Sequence, residues 1–163
     1  MPDSIVKSTL REVEPLDADE PIGPAARRVI AAGLPALPAV ERDGRFAGIF
    51  GEREFMAALF PGYVGELASA AMVSRSVDET IERRSHCATE PVRRWLTTDH
   101  VVVEDTYSDT QLAEIFLHHR VLVVPIASGG RIHAVLTRSD FFAELVSRFG
   151  SVAEDLGGSE TGT

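Results

Sequence analysis

The sequence predicts an α/β protein of two similar units related by a pseudo-twofold axis, and two observations carry that prediction. The segment Arg45-Phe-Ala-Gly-Ile-Phe-Gly-Glu-Arg-Glu-Phe55 recurs 86 positions later as Arg131-Ile-His-Ala-Val-Leu-Thr-Arg-Ser-Asp-Phe141. Around each copy the hydrophobic pattern reads helix, strand, turn, strand, helix. Ala26, Val29 and Ile30 fall opposite Leu112, Ile115 and Phe116 at the same offset, and one residue is lost in the second turn, between Pro125 and Gly130. Length change confined to a surface turn is what a structural repeat tolerates.

In the first unit, a short extended segment leads into a helix that ends near Ala32. Pro21 suits the opening turn, Gly33 supplies the stop, and Ile22, Ala26, Val29 and Ile30 form the expected buried stripe. Leu37 to Val40 reads as a strand, Glu41 to Gly44 as a turn, Arg45 to Phe50 as a second strand, and Glu52 to Phe60 as a helix that stops before Pro61-Gly62.

The second unit gives stronger signals. Ser108 and Gln111 form a capping-box pattern ahead of Leu112, Ile115 and Phe116. Val121 to Ile126 is a dense apolar run, Ala127 to Gly130 a turn, and Ile132 to Leu136 the return strand. Thr137 then precedes a helix from Arg138 to about Phe149. His100 to Glu104 is a β-branched segment suited to the sheet edge.

Residues 63–96 form a longer insert than two compact repeats require. Ser76 and Glu79 give a capping box ahead of Val77, Ile81 and Arg84, and Thr89-Glu-Pro-Val92 opens a further helix into Trp95. Its apolar residues, including Leu67, Ala71, Met72 and Trp95, need a surface to cover, either the repeats or a second subunit. The expected organisation is a first repeat over 5–62, a helical insert over 63–96, a second repeat over 97–149 and a tail over 150–163. That tail, rich in Gly, Ser, Thr and acid, reads as disordered.

A formal net charge of -9 disfavours nucleic acid as a partner, because phosphate contacts are made mainly by Lys and Arg. The lone Cys87 offers no disulfide framework, so a reducing, cytoplasmic setting is expected. No stretch approaches the roughly 20 apolar residues of a membrane span. The histidines lack metal-ligand spacing, Cys87 has no sequence-evident base or carboxylate partner for nucleophilic catalysis, and neither a nucleophile elbow nor a Gly-rich phosphate loop occurs. These residues describe no enzyme.

The repeated residues resemble the cystathionine-β-synthase-type, or CBS, domain. The resemblance rests on Leu37-Pro38-Ala39-Val40, Asp43-Gly44-Arg45, Gly48-Ile49 and Glu54-Phe55 in the first copy. In the second it rests on Val124-Pro125-Ile126, Gly130-Arg131, Val135-Leu136 and Thr137-Arg-Ser-Asp140-Phe141. It implies a stand-alone tandem CBS pair of two βαββα-like units with a helical insert between them. It also implies a non-catalytic sensor that holds an adenosine compound in a cleft between repeats and signals to a separate protein partner. AMP or ATP is expected first, with S-adenosylmethionine or NAD ranked behind, and no resident cofactor or metal. The alternative is a ligand-free structural or protein–protein interaction module. Apolar surface beyond what one pair can bury further points to a homodimer, against a monomer whose insert caps its own sheets.

For the ligand, the resemblance points to Thr137 and Asp140 at a helix start, where a hydroxyl and free amides face phosphate and a carboxylate faces ribose. Thr-x-x-Asp is equally a helix cap. Arg138, Arg120, Val121, Leu122, Thr98 and Val101 complete this expected site. The corresponding first-copy site, with Gly51, Glu54, Gly33 and Leu34, is degenerate: Gly51 lacks the hydroxyl and Glu54 replaces the aspartate. Ala134 likewise stands where the first copy has Gly48.

Overall fold

A computed structural model describes residues 4–61 and 76–157. The chain begins with α1 (Ile5–Thr9), β1 (Arg11–Glu12) and β2 (Leu16–Asp17). The first unit then follows as α2 (Ile22–Ala32), β3 (Ala36–Val40), β4 (Phe46–Gly51) and α3 (Glu52–Leu59). After α4 (Val77–Arg84) come two 3₁₀ turns, Ser85–Thr89 and Val92–Arg94. The second unit is β5 (Val103–Glu104), α5 (Asp109–His118), β6 (Val123–Ser128), β7 (Arg131–Thr137) and α6 (Arg138–Gly157).

Two small sheets result, in strand order β2-β3-β4 and β1-β7-β6-β5. Each is built on an antiparallel hairpin, registered by Pro38 opposite Ile49 in one and Pro125 opposite Val135 in the other. A short parallel strand joins each hairpin, with Leu16 beside Ala39 and Val103 beside Ile126. Val123 and Val135 of the second sheet belong to the same buried cluster as Leu37, Ala39 and Phe50 of the first, so the two units share a core. The pseudo-symmetric α/β architecture follows the repeat.

The leading segments are exchanged. Residues 5–12 precede the first unit in sequence but pack with the second: Ile5 and Val6 lie in the cluster of Leu112, Val124 and Phe141, and Arg11 pairs with Val135. Residues 90–97 return the exchange. Val92 is fully buried in the first core, Trp95 packs against that core, and the backbone of Thr97 bonds both ways to Ile49 at 2.9 and 3.0 Å. Polar contacts fix both ends of this crossover. The Asp109 carboxylate accepts from the Ile5 and Val6 amides and the Ser4 hydroxyl, which hold it below the usual carboxylate range even though burial acts the other way. Arg93 spans Asp19 and Glu41.

Local signals place most elements. Gly33 ends α2 in the left-handed conformation, φ 67°, which a residue without a Cβ adopts at least cost. Ser108 and Gln111 form both halves of the capping box, at 3.2 and 2.9 Å. Ser76 caps α4 by accepting from the Glu79 amide. Several expectations need correction. Ile30 is 79% exposed and Ala25 takes its place in the core; the helix register that matches Ala25 with Leu112 is one residue longer than the repeat offset, as the shortened turn requires. Val77 and Ile81 are exposed in the single chain and so do not cover the repeats, and the element after Pro91 is a single 3₁₀ turn. Leu67, Ala71 and Met72 lie outside the described residues. The last helix does not stop near Phe149 but continues to Gly157, because Val152, Ala153 and Leu156 extend the apolar periodicity that starts at Phe142. Residues 158–163 lie outside the description.

Candidate functional site

Facing the two units about a pseudo-twofold axis opens two clefts, each built from one unit's last helix start and the other unit's helix-to-strand corner. The larger, about 530 Å³, is lined by Thr137, Ser139 and Asp140 from the start of α6, by Gly33, Leu34 and Pro35 after α2, and by Arg11. The smaller, about 310 Å³, is lined by Glu52, Arg53 and Glu54 from α3, by Thr97, Asp99 and His100, and by His119 to Val123 after α5. Pro35, Glu52 and Leu122 border both, so the clefts are neighbours.

In the larger cleft, Thr137 is buried and its hydroxyl accepts from the Asp140 amide at 3.0 Å, capping α6. The Arg138 amide is taken by the Leu122 carbonyl, which ties the helix start to the strand beside it. Asp140 is gripped by Arg11, whose Nε and Nη2 donate to its two oxygens at 2.7 and 3.0 Å. That pair holds the Asp140 carboxyl below its ordinary range, chiefly through the Arg11 hydrogen bonds. The guanidinium keeps Nη1 for another acceptor, and the side chain is 45% exposed. A cation, a capping hydroxyl, a helix N-terminus and an ionised carboxylate therefore meet at one opening, a combination suited to a phosphate beside a hydroxylated sugar.

The smaller cleft is chemically different. Glu54 is only 7% exposed; burial pushes its carboxyl up, and Thr97 donates to it at 3.3 Å. Gly51 carries no capping side chain for a steric reason. A Cβ there would stand 2.2 Å from the Pro35 carbonyl oxygen and 2.5 Å from Ala36, so the close approach of β3 forbids the threonine that the second copy has. Gly48 answers similarly to Leu96 and the Thr97 carbonyl, at 2.7 and 2.9 Å. In the second copy the equivalent neighbour is β1, and Ala134 fits.

The structure divides the residues expected at one site between the two clefts. Thr137, Asp140 and Leu122 come together with Gly33 and Leu34. Arg120 and Val121 lie instead with Glu54, and Leu122 reaches both. Thr98 is exposed beside the smaller cleft without lining it, Val101 packs against the second core, and the exposed Arg138 side chain lines neither cleft. The residue missed was Arg11. It stands 86 positions before Thr97, the repeat offset, and that spacing was the available signal. Among the described residues no cluster of His, Cys, Asp and Glu could hold a metal ion, and no helix is long and apolar enough to cross a membrane.

Comparison with known proteins agrees with this architecture. Residues 6–61 match the family model of the CBS domain. No curated protein sequence matches significantly. Among solved structures, a CBS domain-containing protein of Kribbella flavida is similar with a TM-score of 0.67 and 20% identity, over 88% of this chain and 99% of that one. The CBS-domain protein ATU1752 of Agrobacterium tumefaciens gives 0.61 and 22%, over 85% and 88%. CBSX2, solved in complex with AMP, gives 0.63 and 14%, over 89% and 98%. At these identities the likeness shows the fold. Residues 6–61 thus match the CBS domain in sequence, and the chain as a whole has the fold seen in tandem CBS-domain structures.

Proposed function

We propose that this chain is a non-catalytic regulatory module that binds an adenosine nucleotide, AMP or ATP, in the cleft of Thr137 and Asp140. The observation that carries the reading is the convergence of Arg11, Thr137 and Asp140 on the mouth of a cleft of about 530 Å³ between units. Phosphate sits at the start of α6 against Arg11, ribose hydroxyls donate to Asp140, and the base lies toward Leu34, Pro35 and Leu122. CBSX2 binds AMP on the same fold, which supports the class of ligand. S-adenosylmethionine ranks lower because its sulfonium gains nothing beside Arg11. A bound nucleotide regulates through a difference in affinity between two states of the pair, read by a separate protein partner.

One observation favours a second reading, a ligand-free interaction module: Arg11 already occupies both oxygens of Asp140. Thermal shift and calorimetry with AMP, ADP, ATP, S-adenosylmethionine and NAD separate the two. A ligand at a hundred times its Kd adds about 2.7 kcal/mol to native stability. A flat response from folded protein free of copurified nucleotide overturns the nucleotide reading.

A further inference from the structure

Arg11 holds the very group that a ribose in the larger cleft needs. Its Nε and Nη2 occupy both oxygens of Asp140, at 2.7 and 3.0 Å. Both side chains are partly exposed, and both border the cleft and also an open groove of about 440 Å³ lined by Ser8, Thr9, Ala143 and Glu144. The pair is therefore a partition between two open spaces, and the guanidinium can turn away from Asp140 without disturbing the core. Among the described residues Arg11 is the one cation that lines this cleft, where Glu52 and Asp140 are the carboxylates. Arg53 and Arg120 line the smaller cleft instead. Of the first three amides of α6, that of Arg138 goes to the Leu122 carbonyl and that of Asp140 to the Thr137 hydroxyl. The Ser139 amide is left, since the first turn of a helix has no acceptors within the helix. One cation and one amide suit one phosphate group.

We propose that Arg11 sets the ligand selectivity of this cleft by changing partners: bound to Asp140 it closes the ribose acceptor, and bound to a phosphate it frees it. The ligand class that satisfies both groups at once is a nucleoside monophosphate. The inference rests on the nucleotide reading above and says which nucleotide the cleft prefers. A nucleoside reaches Asp140 only by displacing Arg11, and it offers the guanidinium no acceptor in return. A monophosphate gives Arg11 an anion that it can grip in the same two-pronged way, while Asp140 passes to the sugar hydroxyls. The exchange is feasible because an ion pair this exposed is weakly held. A triphosphate brings further negative charge to a cleft whose other charged lining, Glu52 and Asp140, is acidic, and like charges at such distances repel. Occupation of Asp140 by Arg11 is then the closed half of a selective device and no bar to binding.

Calorimetry of AMP, adenosine and ATP without divalent cations, on the full-length wild type and on Arg11→Ala, tests it. The two ligands that differ only in the phosphate should respond with opposite sign. Arg11→Ala is expected to weaken AMP by about 10-fold or more, the loss of a charge-assisted contact. It is expected to strengthen adenosine by about three-fold, the factor for no longer opening an exposed ion pair. A general loosening of the cleft would weaken both. In an Asp140→Asn background, where there is no ion pair to open, Arg11→Ala should leave adenosine unchanged; a gain there overturns the masking of Asp140. ATP is expected to bind the wild type roughly 10-fold more weakly than AMP, and tighter binding of ATP overturns the preference for one phosphate. AMP that binds both proteins alike, or adenosine that binds Arg11→Ala no better than wild type, overturns the exchange while leaving the nucleotide reading standing. No binding of any of the three to either protein overturns that reading and this inference with it.

Discussion

Arg11 grips both carboxylate oxygens of Asp140 across 129 residues of sequence, and the exchange of the leading segments is what brings them together. Both side chains are partly exposed, so the pair adds little stability: Arg11→Ala is expected to cost less than about 1 kcal/mol. Its pH dependence has a definite sign. Asp140 has a depressed folded pKa, so its contribution is present above the unfolded carboxylate range and lost as pH falls through the folded value. Urea midpoints of wild type and Arg11→Ala should therefore differ at pH 7 and converge in acid. A difference that grew on acidification would contradict the pairing.

Thr137 and Asp140 serve both as a cap and, in the proposed function, as ligand contacts, and the two roles separate by measurement. Removing the hydroxyl that accepts from the Asp140 amide, in Thr137→Ala, should cost about 1 kcal/mol of stability. The Thr137→Ala/Asp140→Ala pair should in addition lose AMP affinity by roughly 10-fold or more, the equivalent of about 1.4 kcal/mol. Calorimetry showing an unchanged Kd would place the nucleotide elsewhere.

Glu54 is the reverse of Asp140 in sign. Burial raises its folded pKa, so the stability linked to its protonated form is complete below the unfolded carboxylate range and is lost as pH rises through the folded value. Glu54→Gln keeps an acceptor for Thr97 without the charge. We expect it to melt about 2–4 °C above wild type near neutral pH, the shift of roughly 1 kcal/mol in a chain of this size. The advantage should vanish in acid, and differential scanning calorimetry across pH would show whether it does.

Restoring the motif threonine in the first copy should fail. Gly51→Thr, and even Gly51→Ala, drives a Cβ into the backbone of Pro35 and Ala36, which has no flexible end to yield. A loss of about 2–3 kcal/mol or more is expected, the scale of overpacking in a filled core. Chemical denaturation showing either variant as stable as wild type would mean that β3 and β4 can separate there.

Much of the architecture is legible in the sequence because its signals are local. The stop at Gly33, the capping box of Ser108 and Gln111, the hairpins on either side of Gly44 and Gly130, and the repeat that pairs them all depend on residues a few positions apart. The sequence by itself determined two α/β units, their strands and helices, and the residue types at each helix start. Only the tertiary structure decided which of these residues meet. It buried Ala25 and left Ile30 in solvent, delivered Arg11 to Asp140, and parted Arg120 and Val121 from Thr137. Those outcomes come from packing two sheets face to face and exchanging the segments that lead into them. Backbone propensity along one segment carries no information about which residue, a hundred positions away, will stand opposite it.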